Sequence, residues 1–260
     1  MFKEQVYLKL DDESAEKSSH KVVDEVPLSI FVNGRHFVTA MISPQMINEF
    51  VLGHIFSEGI IKRLEEVESL EIEENIARLI VRNPIKAIVP KRPIVSGCGG
   101  NASYMDGFKL LQIKSDFHIL EEDIFSAMKT ISSSKLHEAT GGVHSVGLFD
   151  QCGTICIADD IGRHNALDKV IGHGLNTSAD FGRTFVASTG RISSDMALKC
   201  SLAGIPIVAS RGATTILAIA IAKKTGLTIV GFVRGRRMNV YTSWDRIDYS
   251  SSSPSEKNNP

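Results

Sequence analysis

From Glu121 onward the apolar residues switch back and forth between two periods, and this alternation limits the chain more than any other feature. Helical spacing predicts helices over Glu121 to Ile131, from Arg163 to Gly172, over Ser193 to Ala203 and over Thr214 to Thr225. Short apolar runs between them predict strands: His144 to Phe149 with Thr154 to Ala158 as a hairpin, then Arg183 to Ser188, Pro206 to Ser210, Leu227 to Val233 and Met238 to Thr242. Strands and helices in this order bury their apolar sides by stacking, so a layered α/β core over 108–248 is expected.

The first half reads differently. Leu28 to Val32 and Phe37 to Met41 flank Asn33-Gly34 and predict a hairpin. Ser43-Pro44 predicts the start of a helix, with Ser43 as its cap and Gly59 closing it. Glu68 to Arg82 predicts a second hairpin around Glu74-Asn75. A smaller α+β part over 21–93 follows. Residues 1–20 read as a frayed arm with one strand at Val6 to Leu10, and 249–260 as a polar, disordered tail.

The chain has 260 residues and a formal net charge of -1, so no global basic excess points to nucleic acid. Any anion site must be local. No apolar stretch reaches membrane-spanning length, and the first 20 residues lack the apolar centre of a signal peptide, so a cytoplasmic protein is expected. The four cysteines, Cys98, Cys152, Cys156 and Cys200, do not form close metal-binding pairs. Cys156 and Cys200 fall on apolar positions and read as small core residues.

Three polar motifs fall where strands end: Asp160-Ile-Gly162-Arg163-His164-Asn165, Thr189-Gly190-Arg191-Ile-Ser193, and Arg234-Gly235-Arg236-Arg237. Each joins glycine, which admits a ligand close to the backbone, to arginine, which grips phosphate with a two-pronged guanidinium. Helix starts just after Arg163 and Arg191 would add amide donors. In open α/β sheets ligands gather outside the carboxyl ends of the strands, so a nucleotide or pyrophosphate site is expected, against the alternative of a solvated arginine rim. His144, after Thr140-Gly-Gly, is a proton donor, a ligand contact or a structural residue. Asp160, His164, Asp168 and Lys169 form either part of the site or a salt-bridge network on a helix.

Cys98 lies in Ser96-Gly-Cys-Gly-Gly-Asn101, and three glycines around one thiol predict a mobile loop over 94–107. A nucleophile or sulfur carrier needs such a setting; the alternative is a surface cysteine without a role.

In order and spacing these pieces resemble the formate dehydrogenase accessory protein family, the FdhD sulfurtransferases. The likeness runs from Glu25 to Ile247. It is carried by Glu25-Val-Pro-Leu28, Leu52-Gly-His-Ile-Phe-Ser-Glu-Gly-Ile-Ile61, Ser96-Gly-Cys-Gly99, Thr140-Gly-Gly-Val-His144, Gly162-Arg-His-Asn-Ala166 with Asp168-Lys169, Thr189-Gly-Arg-Ile-Ser193 and Gly231-Phe-Val-Arg234. The resemblance implies a cytidine-deaminase-like core and a homodimer. It implies that Cys98 takes persulfide sulfur from a cysteine desulfurase and passes it to the molybdenum bis(guanine dinucleotide) cofactor, the bound substrate, for the formate dehydrogenase catalytic subunit. It implies that Phe232, Val233, Arg234, Gly235, Arg236 and Arg237 contact the cofactor and its guanine nucleotide parts. The deaminase zinc motif is absent. Where many members carry a second loop cysteine this chain has Asn101, and Asp159 and Asp195 stand where Glu is usual.

The expected reaction is thiolate attack by Cys98 on a donor persulfide, with the cofactor held by Arg163, Arg191 and Arg234 to Arg237. Two rivals differ in chemistry: a cofactor chaperone without sulfur transfer, and a nucleotide-modifying enzyme.

Overall fold

The structure is a computed structural model, and it describes residues 1–12, 14–82, 110 and 112–249. The expected loop over 94–107, the connector before it and the tail after Tyr249 lie outside the described residues.

Four strands build the N-terminal sheet: β3 (Val26–Val32), β4 (Arg35–Ile42), β5 (Val67–Glu73) and β6 (Ile76–Val81), in the order β4-β3-β6-β5. Asn33 and Gly34 both take positive φ, 49° and 78°, which the tight β3–β4 turn requires. The alternating burial of β3 puts Leu28, Ile30 and Val32 into one core with Phe50, Val51 and Ile55 of α1 (Ile47–Ser57).

The C-terminal part is a mixed six-stranded sheet. Its strands are β8 (His144–Asp150), β9 (Gly153–Asp160), β10 (Phe185–Ser188), β11 (Ile207–Ser210), β12 (Thr228–Arg234) and β13 (Arg237–Val240), in the order β13-β12-β11-β10-β8-β9. The three central strands β10, β11 and β12 are parallel; β8, β9 and β13 run against their neighbours. One face packs on α2 (Glu121–Ser132) through Ile124, Met128, Phe185 and Ile207. The other packs on α4 (Arg163–Asn176), α5 (Ser194–Ala203) and α6 (Ile216–Thr225) through Val170, Met196, Val208 and Ile229. The α/β expectation therefore holds at this level.

The two parts meet where α1 crosses α4, and the contact is backbone against backbone. A Cβ on Gly53 would stand 1.8 Å from the Asp168 carbonyl oxygen, and one on Gly172 would stand 1.9 Å from the Glu49 carbonyl oxygen. Buried charges line the same seam. Lys199 Nζ lies 2.6 Å from Asp168 Oδ2, which also meets His54 Nδ1 at 2.9 Å, while Ser57 Oγ donates to Asp168 Oδ1. Lys169 Nζ lies 2.6 Å from Asp160 Oδ2 and donates to the Ser43 carbonyl at 3.0 Å. Asp168 and Lys169 thus belong to the salt-bridge network rather than to a ligand site.

Three sequence expectations need correction. Residues 1–20 are not a frayed arm: β1 (Phe2–Leu10) and β2 (Ala15–Val23) form an exposed antiparallel hairpin. Ser43 does not cap α1. Its N–H donates to Asp160, its hydroxyl accepts from the Ile161 N–H and its carbonyl takes Lys169, so the helix begins three residues after Pro44, behind a left-handed Met46. Tertiary hydrogen bonds have outcompeted the local cap. The strand expected from Arg183 begins at Phe185, because Phe181–Arg183 form a 3-10 turn capped by Asp180. A short helix that apolar spacing did not signal, α3 (Lys135–Thr140), precedes the Gly141-Gly142 turn.

Candidate anion-binding site

Because β10, β11 and β12 are parallel, β8 opposes them and β9, antiparallel to β8, runs with them, one edge of the sheet gathers the ends of β9 to β12 and the start of β8. His144, Asp160, Thr189, Arg211 and Arg234 all fall there. Hydroxyls and backbone amides knit the loops together. Ser210 Oγ donates to the Gly190 carbonyl at 2.7 Å and accepts from the Gly212 N–H at 2.8 Å. The Gly190 N–H donates to Ser188 Oγ, and the Ser145 N–H to Thr189 Oγ1. The Arg211 N–H reaches the Ser188 carbonyl, and Arg234 Nε reaches the Arg211 carbonyl.

A cavity of about 460 Å³ opens on this edge. Its wall holds His144, Thr189 and Arg234, three residues singled out from the sequence, together with His137, Arg211 and the turn Gly141-Gly142-Val143. Ile161 and Gly212 line it too, and no carboxylate is among the described lining residues. Arginine and histidine in a lining that holds no carboxylate among the described residues favour an anion.

Arg163 stands directly behind this wall. A Cβ on Gly190 would meet Arg163 Cδ at 2.9 Å and His144 Nδ1 at 3.2 Å, so the missing side chain is what lets both approach the loop. The buried Nε of Arg163 has no hydrogen-bond partner among the described residues. Burial, then the neighbouring Arg191, lowers the Arg163 pKa from its ordinary value. Burial, with Arg163 and His137 beside it, also lowers that of His144 and favours its neutral form. An unpartnered donor behind a wall of arginine and histidine adds to the positive potential that an oxyanion meets in the cavity.

The remaining sequence candidates divide. Gly162 leads into α4 without a side-chain cap, and Asn165 Nδ2 donates to Asp160 Oδ1 and to the Met41 carbonyl, so Asn165 serves the seam. His164 pairs through Nε2 with Ser193 Oγ at 2.9 Å, beside Asp195, and burial drops its pKa to about 4. Arg191 is exposed on the loop after β10. Phe232 is exposed with φ 54°, at a bulge where its N–H donates to the Gly212 carbonyl, and the Arg234 guanidinium lies over its ring at 5.9 Å. Val233 is buried in the core, Gly235 turns the β12–β13 hairpin, Arg236 pairs with Glu122, and Arg237 is exposed. Cys98 lies outside the described residues.

The sequence reading missed Arg211 and His137. Arg211-Gly212 follows β11 as Thr189-Gly190 follows β10, so a repeated strand-then-glycine pattern signals the first. His137 reaches the site from α3, which nothing in the apolar spacing marks. Cys156 and Cys200 are buried as expected, and burial pushes their thiols up to about 11 and about 12. No helix among the described residues is long and apolar enough to cross a membrane.

Comparison with known proteins follows the same residues. The family model for FdhD/NarQ matches residues 23–248. A protein named sulfur carrier protein FdhD from Methanothermobacter thermautotrophicus is 32% identical over 249 residues, covering 95% of this chain and 99% of its own. One of the same name from Bacillus subtilis is 35% identical over 240 residues, covering 89% and 92%. A crystal structure of a candidate formate dehydrogenase accessory protein from Desulfotalea psychrophila superposes with a TM-score of 0.79 at 29% identity, over 95% of this chain and 99% of that one.

Proposed function

The chain belongs to the FdhD/NarQ family, and from that premise we propose that it is a sulfur carrier serving formate dehydrogenase maturation. In this reading Cys98 takes sulfur from a cysteine desulfurase. The molybdenum bis(guanine dinucleotide) cofactor, as substrate, docks its phosphates in the cavity at the sheet edge. The observation that carries the reading is that cavity: among the described residues, arginine and histidine line it without a carboxylate, and the unpartnered Arg163 donor stands behind it. A volume of about 460 Å³ suits a nucleotide-sized group. The mixed sheet with helices on both faces also supports the deaminase-like core that the family resemblance implies.

The first transfer is a thiol–disulfide type of exchange. The Cys98 thiolate attacks the outer sulfur of the donor persulfide. The donor S–S bond breaks, its thiolate departs, and Cys98 holds the new persulfide. In the second transfer the outer sulfur passes to the metal, a soft ligand for its acceptor, and Cys98 leaves as thiolate. The two electrons that turn sulfane sulfur into sulfide would come from the molybdenum of the substrate, which is oxidised by two. The cavity's part is to hold the substrate's phosphates while this happens. Two copies of the chain working as a dimer suit a substrate with two nucleotide arms.

The test is intact mass after incubation with a cysteine desulfurase and cysteine, together with binding of GDP as probe. The wild type gains sulfur; Cys98→Ala does not, yet binds GDP as before. Arg234→Ala loads sulfur normally and binds GDP about tenfold more weakly, the worth of one charge-assisted contact. A wild type that gains no sulfur from a competent donor, but still binds GDP, moves the protein to the role of cofactor chaperone.

A further inference from the structure

Among the cavity's lining residues His137 alone comes from a helix, and its ring is held in one orientation. Nδ1 lies 2.8 Å from the Val143 carbonyl oxygen. A carbonyl only accepts, so Nδ1 carries the proton, and in the neutral ring Nε2 is bare. Nε2 has no hydrogen-bond partner among the described residues, and the side chain borders the same cavity as His144, Arg211 and Arg234. A histidine needed only to staple α3 to the Val143 carbonyl has done so through Nδ1; its other nitrogen is unengaged among the described residues, on a residue that lines a site favouring anions.

The charged groups around it are few. Glu138 is its neighbour on α3. From β8 comes His144, and from across the cavity Arg211 and Arg234. From β2 His20 sits at 3.2 Å from the Thr140 carbonyl, at the far end of α3. From β9 Asp159 is already engaged, accepting from Ser134 Oγ and Ser145 Oγ at 2.5 Å each.

We propose that His137 is a ligand-contacting residue of this cavity, gripping a terminal phosphate of a nucleoside diphosphate through a proton held at Nε2. The inference rests on the reading of the cavity as a nucleotide site. Protonated, the ring donates from both nitrogens, one to Val143 and one to a phosphate oxygen. Neutral, it offers the phosphate only a lone pair, and the contact is lost. His144 does not compete for the role, because its surroundings favour the neutral ring. The residue therefore makes ligand capture depend on pH, with the contact made by the protonated ring and lost by the neutral one.

The experiment is GDP affinity between pH 5.5 and 8 for wild type, His137→Gln, His137→Asn and His144→Gln, each checked for an unchanged melting temperature. The wild type binds about tenfold more weakly at the alkaline end, the loss of one charge-assisted bond. Both His137 variants lose that step and bind at acid pH as weakly as the wild type does at alkaline pH. The terminal phosphate of GDP gains charge over the same range, so their residual trend is flat or runs the other way. His144→Gln keeps the step. A wild-type profile that both His137 variants reproduce overturns the proposal, as does a step that disappears with His144. Absence of GDP binding by the wild type at every pH overturns the nucleotide site itself, and this proposal with it.

Discussion

At the scale of single residues the site is defined as much by a missing side chain as by those present. Gly190 leaves room for Arg163 and His144 to lie against the loop after β10. Gly190→Ala puts a methyl carbon where Arg163 Cδ and Cβ and His144 Nδ1 now stand, at 2.9, 3.0 and 3.2 Å. The arginine can swing away, so the fold survives with a loss of about 1–3 kcal/mol. The cavity wall does not survive. GDP affinity, measured by calorimetry, falls about tenfold or more while the thermal midpoint shifts by only a few degrees. Much of this site was legible residue by residue: His144, Thr189 and Arg234 were singled out from Gly/Arg spacing and do converge. Asp168 and Lys169 were legible as a charged cluster but not in purpose. Sequence places them one turn from His164; only the fold reveals that they turn toward α5 and the segment before α1, where Lys199 and Ser43 wait 30 or more positions away. His137 was hidden because a six-residue helix carries too few apolar positions to show a period.

At the scale of elements the decisive contact is the crossing of α1 and α4. Helices that touch backbone to backbone need glycine at the crossing, and here each supplies one. A Cβ on Gly172 would sit 1.9 Å from a carbonyl oxygen that belongs to the helix frame, so no side-chain rotation relieves it. Gly172→Ala forces the helices apart and strips packing from the Asp168–Lys199 pair. The expected loss, read from urea unfolding, exceeds 3 kcal/mol, the scale of disrupting a buried ion pair. The contrasting control is Gly59→Ala, which meets nothing within 4 Å and is strained only by its φ of +73°. Elements were the most legible level of the sequence, because apolar periodicity reports them directly. The starts of α1 and β10 were not, since hydrogen bonds from residues more than a hundred positions away, or a local 3-10 turn, fixed them.

At the scale of the whole molecule, His164 and Asp168 are two groups through which stability follows pH. Burial drops His164 to about 4, below its ordinary 6.5, so the folded state prefers the neutral ring. Its contribution is complete above pH 6.5 and is lost as pH falls toward 4. Asp168 lies lower: burial would raise it, but Lys199 and His54 win and hold it at about 2. Its contribution is complete above its ordinary 3.8 and is lost only between there and about 2. Urea unfolding at pH 7, 5.5 and 4.5 should therefore show a decline that His164→Gln flattens, with the Asp168 pair still intact at pH 4.5. The layered α/β plan was legible from the order of strands and helices. The exposed β1–β2 hairpin was not: its strands bury almost nothing, so they lack the contrast between faces on which sequence patterns depend.

The glycine crossing also bears on how the chain can be divided. Residues 1–82 carry one half of that seat and residues 112–249 the other, and each presents a main-chain carbonyl, of Glu49 or of Asp168, against the glycine of the other. Such a joint behaves like a lock and key made from a single strip of metal. A chain severed within 83–109 and produced as two polypeptides should reassemble and co-purify, whereas the same pair bearing Gly53→Ala should part on the column.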